Sequence, residues 1–269
     1  THPFQRTHPM DARIADLSPA TTEREIRIEL AAAYRLVDYF GWTELIYGHL
    51  TARVPGPEHH FLINPYGLNY DEITASNLVK IDVDGNIVEN TPYPVNAAGF
   101  IIHSAVHMVE DSDNHVVMHT HTRSGMAVSA LEDGLLPISM NATIFHDRLS
   151  YHEYEGPSFF LDERERLQQS LGDNKAMILR NHGLLTVGRT VPEAFLRLYR
   201  LERAAQVQMD ASAAGKLRAV GDNVASHSRD GIEGFTDDGE KNGGGMDYGR
   251  LEFAALMRKI DKIDPSYRN

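Results

Sequence analysis

Residues 115–125 read HVVMHTHTRSG, an apolar run that ends in two histidines, His119 and His121. Imidazole is the commonest side-chain ligand of divalent metals. Alternate residues of a strand point to one face. If Val116, Val117 and Met118 form a buried strand, both rings project to one side and Thr120 to the other. Such a pair can share a metal ion, or it can simply end the strand as two polar residues bonded to backbone or water. A third imidazole, His182, stands in ILRNHGLL, after an apolar run and before Gly183, where the chain can turn and present a side chain at a sheet end. Three histidines with an open position form the donor set of a catalytic divalent site. The other reading of His182 is a turn residue bonded to backbone.

Elements able to position these residues can be read from the periodicity. Ser18-Pro19 and the Thr22 and Glu25 pair signal a helix start. Ile26, Leu30, Ala33, Tyr34 and Val37 follow at helical spacing up to Gly41. Short strands are expected at 45–47, 50–54, 61–63 and 78–81, with a turn region in YGLNYDEIT. AAGFIIHSAVHMV (97–109) suits a helix, GMAVSALED (125–133) another, and ISMNATIF (138–145) a strand. LDERERLQQSLGDN reads as a polar-faced helix, and 176–179 as a buried strand that runs into RNHGLLTVG. The most regular helix runs from Val191 to about Lys216, with Ala194, Leu198, Leu201, Ala205 and Met209 at spacings of three and four. Residues 221–249 are rich in Gly, Asp and Ser and read as an irregular connector before a terminal helix, LEFAALMRKIDKI. The expected organisation is an N-terminal arm over 1–20, a main domain over 21–220 and a C-terminal connector and helix over 221–269. There is no internal repeat, P-loop or GxGxxG.

The whole chain narrows the chemistry. Its 269 residues, 42% of them hydrophobic, suffice for a packed α/β core. A formal charge of −12 argues against nucleic acid or an anionic membrane as partner. With no cysteine, thiolate ligands and disulfides are excluded, and any metal rests on His, Asp or Glu. No apolar run approaches the ~20 residues that span a bilayer, and the N-terminus lacks a signal-type apolar segment, so a cytoplasmic protein is expected. His2 and His8 lie in a Pro-containing terminal arm and are expected to have no part in metal binding.

From about Glu23 to Ser212 the chain resembles the class II aldolase/adducin family. The resemblance rests on GHLTARVPG, FLINPYGLNYDEIT, NAAGFIIHSAVH, VVMHTHTRSGMAVSAL, GLLPIS and LRNHGLLTVG. It implies a three-layer α/β/α sandwich around a mixed, mostly antiparallel sheet, assembled as a homotetramer with sites at subunit interfaces. It also implies a divalent metal on His119, His121 and His182, zinc by family habit, with Fe(II) or Mn(II) as alternatives. The sugar-phosphate aldolases of the family carry a Glu four residues before the histidine that is His103 here, and this chain has Gly99 there. Their phosphate-binding Gly-Asn, Thr-Gly and Ser pair correspond to Gly48-His49, Tyr66-Gly67 and Ala97-Ala98. The replaced donors would forfeit hydrogen bonds of ~1.5–3 kcal/mol each to a charged acceptor. Their downstream Tyr proton donor maps near Asn141. Adducin head domains also depart at the Glu, but they lack the metal pair that this chain keeps.

The resemblance therefore implies a metal-dependent lyase for an unphosphorylated oxo or hydroxy acid, a small carbonyl or carboxylate substrate. His103 and Tyr66 are the catalytic candidates, and His49, Asn64 and Asn141 the substrate-binding ones. The first alternative is a non-haem Fe(II) oxygenase that oxidatively decarboxylates an arylpyruvate-like acid, as some relatives in aminocoumarin antibiotic biosynthesis do. The second is an adducin-like, non-catalytic interaction module.

Overall fold

Thr22 starts the first helix, α1 (Glu23–Tyr39), through the expected capping box: its hydroxyl accepts from Glu25 N at 3.3 Å, and the Glu25 carboxylate accepts from Thr22 N at 2.9 Å. This computed structural model describes residues 19–109, 112–156, 162–237 and 248–269. His2 and His8 lie outside them.

The chain then builds a seven-stranded sheet from β1 (His49–Arg53), β2 (Phe61–Ile63), β3 (Val79–Ile81), β4 (Val116–Thr120), β5 (Ser150–His152), β6 (Ala176–Leu179) and β7 (Gly183–Gly188). Their spatial order is β3-β2-β1-β4-β7-β6-β5. Every neighbouring pair is antiparallel except β5 with β6. Helices α2 (Ala97–His107) and α5 (Glu163–Leu171) cover one face. The other face is covered by α1, α3 (Arg123–Ser129) and α6 (Val191–Ala214), with α8 (Arg250–Ile260) packed on α1 and α6. This is the mixed, mostly antiparallel three-layer sandwich implied by the resemblance.

Strand alternation decides which side chains enter each layer. On β4, Val116 and Met118 pack with Leu30, Phe195 and Leu198 in the larger core. Val117 packs with Ile102, Val106 and Leu167 on the other face. His119 continues the Val117 side by the two-residue period. Both faces of β4 are buried, so the strand reads as a continuous apolar run rather than an alternating one.

Three local expectations are corrected, and two strands are added. Leu45–Tyr47 is a turn closed by a Glu44 to Tyr47 bridge, with Leu45 at φ 51 and 75% exposed, so its apolar residues face outward. ISMNATIF contains a helical turn, α4 (Met140–Thr143), because the Ser139 hydroxyl accepts from Ala142 N and nucleates it. Ser150–His152 and Gly183–Gly188 are strands that periodicity did not single out. The expected connector holds α7 (Asp222–Asp237), whose Ala225 is fully buried and whose Ser228 hydroxyl lies 2.9 Å from that of Thr143. Its polar composition concealed a helix that needs only a narrow contact with α4. Residues 238–247 of that stretch lie outside the described residues. The terminal helix packs into the larger core through Phe253 and Ile260, followed by Tyr267 in a short 3-10 helix. No helix among the described residues is long and apolar enough to cross a membrane.

Candidate metal centre

β4 ends at Thr120, so His121 stands one residue beyond the strand, beside the β6–β7 turn. That turn carries His182. Its amide bonds to Leu179 O at 3.1 Å, and Asn181 before it adopts a left-handed conformation, φ 54, which an asparagine tolerates. Gly183 allows the turn to sit against β4: a β-carbon there would lie 2.4 Å from Thr120 O and 3.3 Å from His119 Cε1.

His119, His121 and His182 meet at this point. His121 Nε2 lies 2.8 Å from His119 Nε2 and 3.0 Å from His182 Nε2. The opposite ring nitrogens of two of them have acceptor-only partners. His119 Nδ1 donates to Leu184 O at 2.9 Å, and His121 Nδ1 donates to the Glu44 carboxylate at 2.8 Å. In the neutral rings both Nε2 atoms therefore carry bare lone pairs, pointing at each other. Burial pushes His119 well below the ordinary imidazole range, with His121 and His182 adding to the effect. Burial also lowers His121 against the pull of Glu44 and brings His182 down to about 4, helped by His121. A cation resolves the opposed lone pairs and a proton is disfavoured, so these residues fit a divalent metal, with ring orientation held from behind.

The three rings open into a cleft of about 310 Å³. Among the described residues its lining includes no lysine or arginine and one carboxylate, Glu44. Tyr47, Met126 and Tyr154 form an exposed, largely apolar rim. The Tyr154 ring lies 6.2 Å from His182, centre to centre. His49, opposite His119 in the β1–β4 ladder, lines the cleft with its Nε2 3.2 Å from the Asn96 amide. Burial lowers it to about 3, with lesser contributions from His121 and His182. Its ring lies on the bare face of Gly99, where a β-carbon would be 2.5 Å from Nδ1 and 2.6 Å from Cδ2 and Cε1.

The remaining sequence candidates stand elsewhere. His103 is fully buried in α2 behind His49, with ring centres 5.9 Å apart, and does not line the cleft. Its Nδ1 lies 2.7 Å from the Thr51 hydroxyl, which is also 2.8 Å from His107 Nε2, so one hydroxyl donates to one ring and accepts from the other. Burial holds His103 well below its usual range. Tyr66 is half-buried after β2, its amide bonded to Pro94 O at 2.9 Å, and it does not line the cleft. Asn64 is buried with Oδ1 3.0 Å from the Tyr34 hydroxyl, and Asn141 sits on α4, which packs on α6 and α7. Conversely, sequence reasoning missed Glu44, Asn96 and Tyr154. None belongs to a periodic pattern, and each reaches the cleft from a loop. An acidic residue just before the first strand was the only available hint.

Residues 28–209 match the model of the Class II Aldolase and Adducin N-terminal domain. A protein of Caulobacter vibrioides named for the class 2 aldolases is 47% identical over 247 residues, 91% of this chain and 92% of its own. Alpha-adducin of Mus musculus is 43% identical over 250 residues, 90% of this chain but 34% of that protein. The crystal structure of an aldolase II superfamily protein from Pseudomonas syringae matches with a TM-score of 0.83 and 46% identity, over 93% of this chain and 97% of that one. L-fuculose 1-phosphate aldolase from Glaciozyma antarctica matches with a TM-score of 0.79 and 27% identity, over 97% of this chain and 100% of that one.

Proposed function

This chain belongs to the class II aldolase and adducin family, and from that premise we propose that it is a divalent-metal-dependent lyase acting on an unphosphorylated oxo or hydroxy acid. The observation that carries the reading is the cleft itself: three convergent neutral imidazoles and, among the described residues, no lysine or arginine in its lining. A phosphate dianion drawn from water needs charged or multiple donors in return. A carboxylate beside a carbonyl can instead take its compensation from a bound cation. A divalent metal held by His119, His121 and His182 would supply Lewis acidity toward such an acid.

The chain's own residues do the rest. The Leu184 carbonyl accepts from His119 Nδ1 and the Glu44 carboxylate from His121 Nδ1, leaving the two Nε2 atoms facing each other. His49 closes the floor over Gly99, and His103 backs its ring. Tyr154 and Met126 provide an apolar wall for the acid's distal group. The hydroxyls of Tyr47 and Tyr154 are the groups of the rim that can hold a proton. The exposed rim of Tyr47, Met126 and Tyr154 also suits closure by a neighbouring copy, in keeping with a homo-oligomer.

Calorimetric titration of the metal-loaded protein tests this reading. Pyruvate and phenylpyruvate are expected to bind in a metal-dependent way and more tightly than dihydroxyacetone phosphate. Tighter, metal-dependent binding of the phosphate ester would restore a sugar-phosphate substrate and remove this proposal. One observation favours a second reading, the Fe(II) oxygenase: with Gly99 at the carboxylate position of the sugar-phosphate relatives, the donor set is all histidine. Iron recovered from protein purified without added metal, with oxygen consumed on addition of phenylpyruvate, would select it.

A further inference from the structure

The position at which the sugar-phosphate relatives carry a carboxylate cannot accept one here while His49 keeps its place, because the imidazole ring occupies the space that a β-carbon at 99 needs. The one carboxylate among the described residues of the cleft lining enters from elsewhere, on the turn between α1 and β1. Glu44 Oε2 accepts from His121 Nδ1 at 2.8 Å, while the Glu44 side chain is 44% exposed and the His121 side chain 17%. The turn that bears it is tied by the Glu44 to Tyr47 bridge and by Leu45 at positive φ, so the carboxylate is delivered by a shaped piece of backbone.

We propose that Glu44 is a positioning residue for the metal, fixing the tautomer and ring plane of His121 so that its Nε2 lone pair faces His119 and His182. This rests on the reading of those three histidines as metal ligands. Of the two rings with a bonded Nδ1, His121 is the one held by a side chain. His119 is buried within the sheet and pinned to the Leu184 carbonyl, whereas His121 is past the strand's end and has no main-chain acceptor at Nδ1. A carboxylate partner also raises the basicity of the coordinating nitrogen. Because Glu44 is half-exposed and contributes nothing to the core, its replacement leaves the fold intact.

The test compares the parent with Glu44→Ala and Glu44→Gln, all stripped of metal and titrated with zinc against a chromophoric chelator. Visible spectra of the Co(II)-loaded forms are recorded alongside. Glu44→Ala is expected to bind zinc 10–100-fold more weakly, the usual consequence of losing an outer partner of a ligating histidine, and to show a changed Co(II) spectrum. The Gln variant can still accept from Nδ1–H and is expected to recover much of both. Circular dichroism and urea midpoints should stay at the parental values. Parent-like zinc affinity and spectrum in Glu44→Ala would overturn the role of Glu44 alone. A parent protein that binds no divalent metal would overturn the metal reading, and this inference with it.

Discussion

Gly99→Ala probes the contact between the His49 ring and the bare face of Gly99. The added β-carbon falls 2.5 Å from His49 Nδ1 and 2.6 Å from Cδ2 and Cε1, far inside van der Waals contact with a ring that is only 5% exposed. Relieving it requires the ring to leave its position over the helix, or α2 to lift from the sheet. Overpacking of this kind costs ~1–3 kcal/mol. Replacing Gly in a helix recovers up to ~0.8–1 kcal/mol of propensity, less in the first turn where residue 99 lies. The net expectation is a loss of ~0.5–2 kcal/mol. In a His49→Ala background the ring is gone, only the propensity gain remains, and Gly99→Ala becomes neutral or stabilising. The double-mutant cycle should thus return a coupling of ~1–3 kcal/mol, measured by equilibrium urea unfolding of metal-free protein at one fixed concentration. Additivity within ~0.5 kcal/mol would refute the contact between residues 49 and 99. Gly99→Glu is likewise expected not to seat its carboxylate in the cleft unless His49 is shortened as well.

The other expectations concern the histidines. His119→Ala and His182→Ala should each lose metal through gel filtration yet remain folded, because an open site contributes less to folding than a closed structural one; full occupancy by elemental analysis in either variant would break the three-histidine assignment. Acid should destabilise the metal-free protein early. His49 and His107 are lowered to about 3 and His182 to about 4 by burial, from an unfolded value of 6.5, so the unfolded chain binds the extra protons. Stability is then complete above pH 6.5 and falls toward pH 4, by about 1.4 kcal/mol per pH unit for each such histidine. Chemical unfolding at pH 7, 6 and 5 checks this, and a flat profile would contradict it.

The three convergent histidines were legible because their signals are local. An HxH at the end of an apolar run and an Asn-His-Gly after another mark two strand ends whose backbone presents side chains, and Asn181 and Gly183 are the residue types that such a turn requires. The α1 cap and the α6 stripe were legible for the same reason, since helix starts and helical faces are written within a few turns of chain. Tertiary structure alone decided what no local pattern carries. The β4–β7 register brings His182 to His121 across 61 positions of sequence, and the α1–β1 turn folds Glu44 onto that ring across 77. His103, an attractive imidazole in sequence, is turned into the layer between α2 and β1, where Thr51 and His107 engage it away from the cleft. Polar residues of a loop or a helix interior obey no period, so their roles depend on which surface packs over them, and that is set by burying the apolar faces of distant elements together.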